Sequence, residues 1–291
     1  MKPAPFEYHA PITVEEAVSV LQSYGDAAKV LAGGQSLMPL LNFRLARPAA
    51  IVDINGIEGL DYLRRDGGWL AIGALARQRA AELSSLVAEN CPLLAEALPL
   101  VGHFQIRNRG TILGSLAHAD PAAELGAVAL ALGAELTIQG PNGSRLVRAD
   151  QFFVSYLTTA LAPDELLVEA RFPMAQPRTG YAFVEFARRH GDFALVGVAA
   201  VVSRNNGANR CSDVRLAFTG VGPVPVLITD PEGVLRGQPL EPAGMNAFAE
   251  RAAASLKPDS DIQASGEYRR ELACVLAGQA LEAAAARSRG D

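Results

Sequence analysis

Cysteine is scarce and scattered: Cys91, Cys211 and Cys274 are the only thiols in 291 residues. Three is not an even set for disulfides, and no two have the close spacing that holds zinc or an iron–sulfur cluster. Any metal chemistry must therefore come from a partner. Long apolar runs are missing too. The most apolar stretch, Leu125 to Leu136, is too short to span a bilayer and is interrupted by Gly126 and Gly133, which predicts a buried helix and no membrane insertion. There is no excess of positive charge: 26 Lys and Arg stand against 31 Asp and Glu, for a formal charge of −5. Nothing in that balance draws a phosphate backbone, so nucleic acid is not an expected partner. The opening MKPAPFEYHAP carries prolines and an acid where a signal peptide needs an apolar run, and the expectation is a cytoplasmic protein. Internal repeats are absent. Hydrophobic residues are plentiful, at 49% of the chain, enough for a proper core and for two ordinary domains.

Along the chain, Thr13 followed by Glu16 is a capping box, and Val14, Ala17, Val18 and Leu21 repeat at helical spacing as far as Tyr24 and Gly25. Short apolar runs at Lys29 to Ala32 and Ala50 to Ile54 predict two strands of a β-α-β-like beginning. A strand is expected at Trp69 to Ala74, then helices at Ala76 to Glu89, Pro92 to Val101 and Pro121 to Leu132. Glu135 to Gln139 resumes as a strand, with Pro141-Asn142-Gly143 as a hairpin turn. The segments Glu165 to Phe172, Tyr181 to Arg188, Ala194 to Ser203 and Asp213 to Thr219 read as strands with little helix between them. That change marks a second domain, with the boundary in Pro173 to Gly180. Helices return at Pro242 to Leu256 and Tyr268 to Ala286.

Two segments carry a chemical signal. In the first, Val30, Leu31 and Ala32 run into Gly33 and Gly34, then Gln35, Ser36 and Leu37, with Pro39 suited to the first turn of a helix. Glycine lets an anion approach the backbone, and successive N–H groups can converge on it, aided by a helix N-terminus. A lone Gly-Gly is far more often an ordinary strand-ending turn. The second segment lifts the reading: Thr111, Ile112 and Leu113 are again a β-branched, apolar run into Gly114 and Ser115. Two such loops suit a dinucleotide held at its diphosphate, although the GxGxxG fingerprint of a Rossmann fold is absent.

With these residues in view, the sequence resembles the FAD subunits of bacterial molybdenum hydroxylases, the group that includes carbon monoxide dehydrogenase medium subunits and the flavin domain of xanthine dehydrogenase. The resemblance covers nearly the whole chain and rests on AGGQSLMPLL, RLARPAAIVDI, IRNRGTILGSLAHADPAAEL, RRHGDFAL and YRRELACVLAGQAL together. It implies an α+β fold: a two-part FAD-binding domain of the vanillyl-alcohol-oxidase-like type over residues 1–175, with subdomains of about 1–57 and 58–175, then a smaller antiparallel-sheet and helix domain over 176–291. It further implies noncovalent FAD, with Val30 to Leu37 as the first diphosphate loop and Thr111 to Ser115 as the second. Glu124 stands for a family aspartate that hydrogen-bonds the cofactor, Leu167 for a contact at the adenine end, and Phe193 for a position near the isoalloxazine. Leu113 replaces the first of two adjacent family glycines, and Glu124 is a methylene longer than the aspartate. By the same resemblance the chain relays electrons from 2Fe–2S clusters in a small subunit to an external acceptor. A large subunit would carry the molybdenum cofactor, and the assembly would be a dimer of heterotrimers.

Other residues get plain readings. His118 is a polar loop contact rather than a site of covalent flavin attachment, and His9, His103 and His190 lack ligand-like spacing. Arg188 and Arg189 read as a solvated strand end, and Asp164 with Glu165 as a turn. Two alternatives stay open. A self-sufficient flavin-dependent oxidase or reductase would need a substrate cap and an acid/base constellation that the C-terminal part does not display. A binding protein that had lost the flavin would not need glycines in both loops.

Overall fold

The computed structural model describes residues 2–205, 210–230 and 232–289. The chain begins with a small parallel sheet. Its strands β1 (Glu7–His9), β2 (Ala28–Leu31) and β3 (Ala50–Asp53) are ordered β1-β3-β2, with Tyr8 beside Ile51 and Val30 beside Val52. The helix Val14–Tyr24 packs on this sheet through Ala17, Val18 and Leu21. Thr13 Oγ1 accepts the Glu16 N–H at 3.1 Å, and the Glu16 carboxylate reaches back to the Ile12 N–H at 2.9 Å. The reciprocal cap expected from the sequence forms, one residue further out on its return arm.

Next comes a five-stranded antiparallel sheet. Its strands are β4 (Leu63–Asp66), β5 (Trp69–Gly73), β6 (Glu135–Gly140), β7 (Gly143–Arg148) and β10 (Leu166–Pro173), in the order β4-β5-β10-β6-β7. A small hairpin, β8 (Phe153–Ser155) with β9 (Thr158–Thr159), lies between β7 and β10. Between β5 and β6 the chain makes a run of short helices. The helix expected over residues 76–89 is two, Gln78–Glu82 and Ser85–Asn90, because Ser84 caps a new start by accepting the Val87 N–H. The helix expected over 92–101 stops at Ala97 and tightens into a 3₁₀ turn at Leu98–Leu100, around Pro99.

The last sheet, β11 (Thr179–Phe186), β12 (Val196–Arg204), β13 (Cys211–Thr219) and β14 (Val226–Thr229), is antiparallel in sequence order. Both of its faces are covered. Helices Pro242–Ser255 and Gly266–Arg287 pack on one face and form a core with Val198, Val202, Leu216 and Phe218. On the other face, Tyr181, Phe183, Ala199, Val201 and Ala217 join the larger core that runs back to the first helix. This explains why β12 reads as an almost unbroken apolar run. The helix Glu124–Leu132 is buried at all nine residues, wedged between the five-stranded sheet and this one. A helix apolar all round needs such a position. It starts at Glu124 rather than Pro121 because the preceding carbonyls are held by the last sheet: Thr219 Oγ1 donates to Pro121 O at 2.7 Å and Ala123 O at 2.9 Å. The fold is α+β. Among the described residues, no helix is long and apolar enough to cross a membrane.

Candidate functional site

The first glycine segment leaves β2 and turns into the helix Leu37–Asn42, with Ser36 at its N-cap and Pro39 in its first turn. Gly34 sits at φ +71°, a left-handed conformation that glycine takes without cost. A side chain there would also press on Leu31 Cδ1 at 3.0 Å and Met38 Cγ at 3.2 Å. Among the described residues, the backbone N–H groups of Gly33, Gly34, Gln35, Ser36 and Leu37 donate to no protein acceptor; helical bonding begins with Met38 N to Gly34 O at 3.0 Å. The Ser36 hydroxyl makes no cap bond, and the Gln35 amide folds onto Gly33 O at 3.1 Å. Five successive half-buried donors without partners form a nest for an anion, which fits a diphosphate.

The second segment differs from its expected form. The β-branched, apolar run Thr111, Ile112 and Leu113 does not end in a loop at Gly114 but leads into the helix Ile112–His118. Thr111 is its N-cap and accepts the Gly114 N–H on Oγ1 at 3.0 Å. A Cβ on Gly114 would meet that same oxygen at 2.6 Å, so glycine at this position leaves room for the cap. Leu113, where the family pattern has glycine, turns its side chain into the core and is 2% exposed. Ser115 is half-buried with a hydroxyl that makes no protein hydrogen bond among the described residues.

The two segments meet. A Cβ on Gly33 would lie 2.5 Å from Arg109 O and 2.7 Å from Gly110 Cα, so this glycine permits one loop to rest on the backbone leading into the other. Side chains absent from the sequence reading brace the junction. The Arg77 guanidinium donates to Arg109 O and to Asn55 Oδ1, each at 2.6 Å. Asn55 Nδ2 donates to Ala32 O at 2.9 Å and to Asp53 Oδ1 at 2.6 Å, and the Tyr8 hydroxyl donates to Asp53 Oδ2 at 2.6 Å. Burial works to raise the Asp53 carboxyl, but the bonds from Tyr8 and Asn55, with the charge of Arg109, outweigh it and hold the group below its usual range. Burial, then the like charge of Arg109, lowers Arg77. The one local hint in the sequence was the polar Asp53 and Asn55 closing an apolar strand; Arg77 gave none.

Glu124 opens the buried helix and is 3% exposed. Burial pushes its carboxyl up to about 7, helped by the charge of Asp120. Glu185, on β11, was not foreseen: burial, then the charge of Glu124, pushes it up to about 8, and its Oε2 is buried without a partner among the described residues. Phe193 is exposed in the loop between β11 and β12, and Gly191 in that loop packs against the His103 ring, just before the helix Phe104–Arg107 that leads to the second segment. Leu167 stands apart, 4% exposed in the core beside a register shift of β10. His118 is half-buried at the end of the helix Ile112–His118. Cys91 and Cys211 are buried thiols, each pushed up to about 12 by burial.

Comparison with known proteins covers both parts of the chain. Residues 4–175 match the model of the FAD binding domain in molybdopterin dehydrogenase, and residues 181–284 match that of the CO dehydrogenase flavoprotein C-terminal domain. The 6-hydroxypseudooxynicotine dehydrogenase complex subunit alpha of Paenarthrobacter nicotinovorans is 40% identical, over 99% of this chain and 97% of that one. The carbon monoxide dehydrogenase medium chain of Hydrogenophaga pseudoflava is 39% identical, over 99% of both. A solved structure of carbon monoxide dehydrogenase from Hydrogenophaga pseudoflava, in a form lacking the Mo-pyranopterin moiety of its cofactor, superposes with a TM-score of 0.95 over 99% of both chains at 38% identity. A nest of free N–H groups, the chain segment braced against it and the full-length match in sequence and shape agree: this chain belongs to the family of FAD-binding medium subunits of the molybdenum hydroxylases.

Proposed function

We propose that this chain binds FAD noncovalently and serves as the electron-transfer subunit of a molybdenum-containing hydroxylase or dehydrogenase. The observation that carries the reading is the row of five partnerless N–H groups from Gly33 to Leu37, braced against the segment that leads to Thr111. The diphosphate sits in this nest, with Val30, Leu31 and Ala32 beside it and Thr111 to Ser115 closing the other side. Glu124 hydrogen-bonds the cofactor, Leu167 borders the adenine end from within the core, and Phe193 lies near the isoalloxazine. Bound FAD supplies one- and two-electron redox chemistry, which suits a relay between iron–sulfur clusters and an external acceptor. The chain's own residues hold and orient the cofactor: the nest and the helix N-terminus offset the charge of the diphosphate, and the buried wall of Leu113, Leu116 and Leu125 keeps water from the protein side.

The small subunit carries the 2Fe–2S clusters and the large one the molybdenum cofactor, and the assembly is a dimer of heterotrimers in the cytoplasm. The full-length similarity to medium subunits supports this arrangement. The chain divides near Pro173 to Gly180 into a FAD-binding domain over 1–175, with subdomains of about 1–57 and 58–175, and a C-terminal domain over 176–291. Reconstitution tests the relay. Substrate should reduce the flavin only when the molybdenum and iron–sulfur subunits are added; oxidation of an organic substrate by the isolated chain at a comparable rate would make it a self-sufficient oxidase.

A further inference from the structure

The two segments that flank the proposed diphosphate site come from distant parts of the chain, and among the described residues a hydrogen-bonded link between them runs through one cation, Arg77. Residues 76–78 are zipped to 110–112: Gln78 N donates to Gly110 O at 2.8 Å, and Ile112 N to Ala76 O at 3.4 Å. Arg77 therefore rides on the second segment. From there its guanidinium reaches out in two directions, to Arg109 O and, through Asn55, to Ala32 O on the first segment. Asn55 is itself fixed by Asp53, and Asp53 by Tyr8 on β1. Each bond in this chain is 2.6–2.9 Å long.

We propose that Arg77 is a positioning residue that sets the width of the diphosphate cleft, acting through Asn55 on the first loop and through Arg109 O on the second. The proposal rests on the flavin reading above. Its physical basis is the guanidinium: a planar, rigid fork presents two donors at a fixed angle, so it holds two acceptors at one separation. An ammonium is a point charge on a flexible stem and can satisfy one acceptor without fixing the other. The Gly33 contact limits how close the loops come, and the strut limits how far they part. A cleft bounded from both sides is preorganised, so the cofactor does not have to pull the loops together as it binds.

FAD binding to the apo chain, measured for Arg77→Met, Arg77→Lys, Asn55→Ala and the Asn55→Ala/Arg77→Met double variant, tests this. Losing a charge-assisted bond should raise the Kd for FAD about 10- to 100-fold in Arg77→Met. The increase should be in the dissociation rate, with the thermal midpoint of the apo chain near that of the wild type. Arg77→Lys should restore little of the affinity. The double variant should be no worse than the poorer single one, because both changes cut the same strut. Wild-type affinity in Arg77→Met, full rescue by Arg77→Lys, or additive losses in the double variant would each overturn the proposal. Should Arg77→Met fail to fold, Asn55→Ala carries the test with the same expected loss of affinity. A wild-type chain that binds no FAD would bring down the flavin reading itself, and the strut with it.

Discussion

Gly33 and Gly34 are adjacent yet irreplaceable for different reasons. Gly33 is needed because another stretch of backbone lies against it; Gly34 is needed because φ is +71°. Gly33→Ala should force the two loops apart by several tenths of an ångström and weaken FAD retention about tenfold or more, read from the flavin-to-protein ratio after gel filtration. Gly34→Ala strains the turn and should lower the unfolding free energy by about 1 kcal/mol or more, read by urea denaturation. The acids Glu124 and Glu185 make a pH prediction. Both are raised by burial, to about 7 and about 8, so the folded chain binds protons more tightly than the unfolded one. Their contribution to stability is complete below the ordinary carboxylate range near 4.5 and is lost as pH rises through 7 and 8. Glu185→Gln, which cannot ionise, should gain stability relative to the wild type between pH 5 and pH 9. Urea unfolding at both pH values checks this; a constant difference would mean that Glu185 is not held as the neutral acid.

Among the elements, the helix Ile112–His118 was not assigned from the sequence, which showed there only a β-branched run into Gly114. Thr111, Ile112 and Leu113 have the composition of a strand, but the Thr111 hydroxyl caps a helix and its neighbours are buried by a sheet far away in sequence. Tertiary context overrode local propensity. By contrast, the first helix was legible because its cap, its periodicity and its glycine stop all agree within a dozen residues. Three strands of the last sheet, β11, β12 and β13, were legible from their apolar, β-branched runs to within a few residues at each end, whereas the short β14 was not. β1 escaped notice because three residues give no period. Thr111→Val keeps the shape of the buried side chain and removes only the acceptor for the Gly114 N–H. It should cost about 1 kcal/mol in urea unfolding, the usual worth of an N-cap.

At the scale of the molecule, the shared core ties the ends of the chain together. Glu96 accepts two bonds from Arg287 at 2.7 and 3.0 Å and one from the Phe183 N–H at 3.2 Å, joining the helix Pro92–Ala97, β11 and the C-terminal helix. Thr219 and Gly220 hold the carbonyl of Pro121 in the same way from the other end of the sheet. None of these pairings could be read locally, since their partners lie about 90 to 190 residues apart. The same holds at the site: the sequence showed the two glycine segments, but their mutual contact and the Tyr8, Asp53, Asn55 and Arg77 brace exist only once distant strands pair. The central claim is that these segments together hold FAD. Acid precipitation of the purified chain, followed by chromatography of the supernatant, measures it most directly. One equivalent of FAD per chain is the predicted result; release of FMN, absence of flavin, or flavin that stays bound to the precipitated protein would contradict the account.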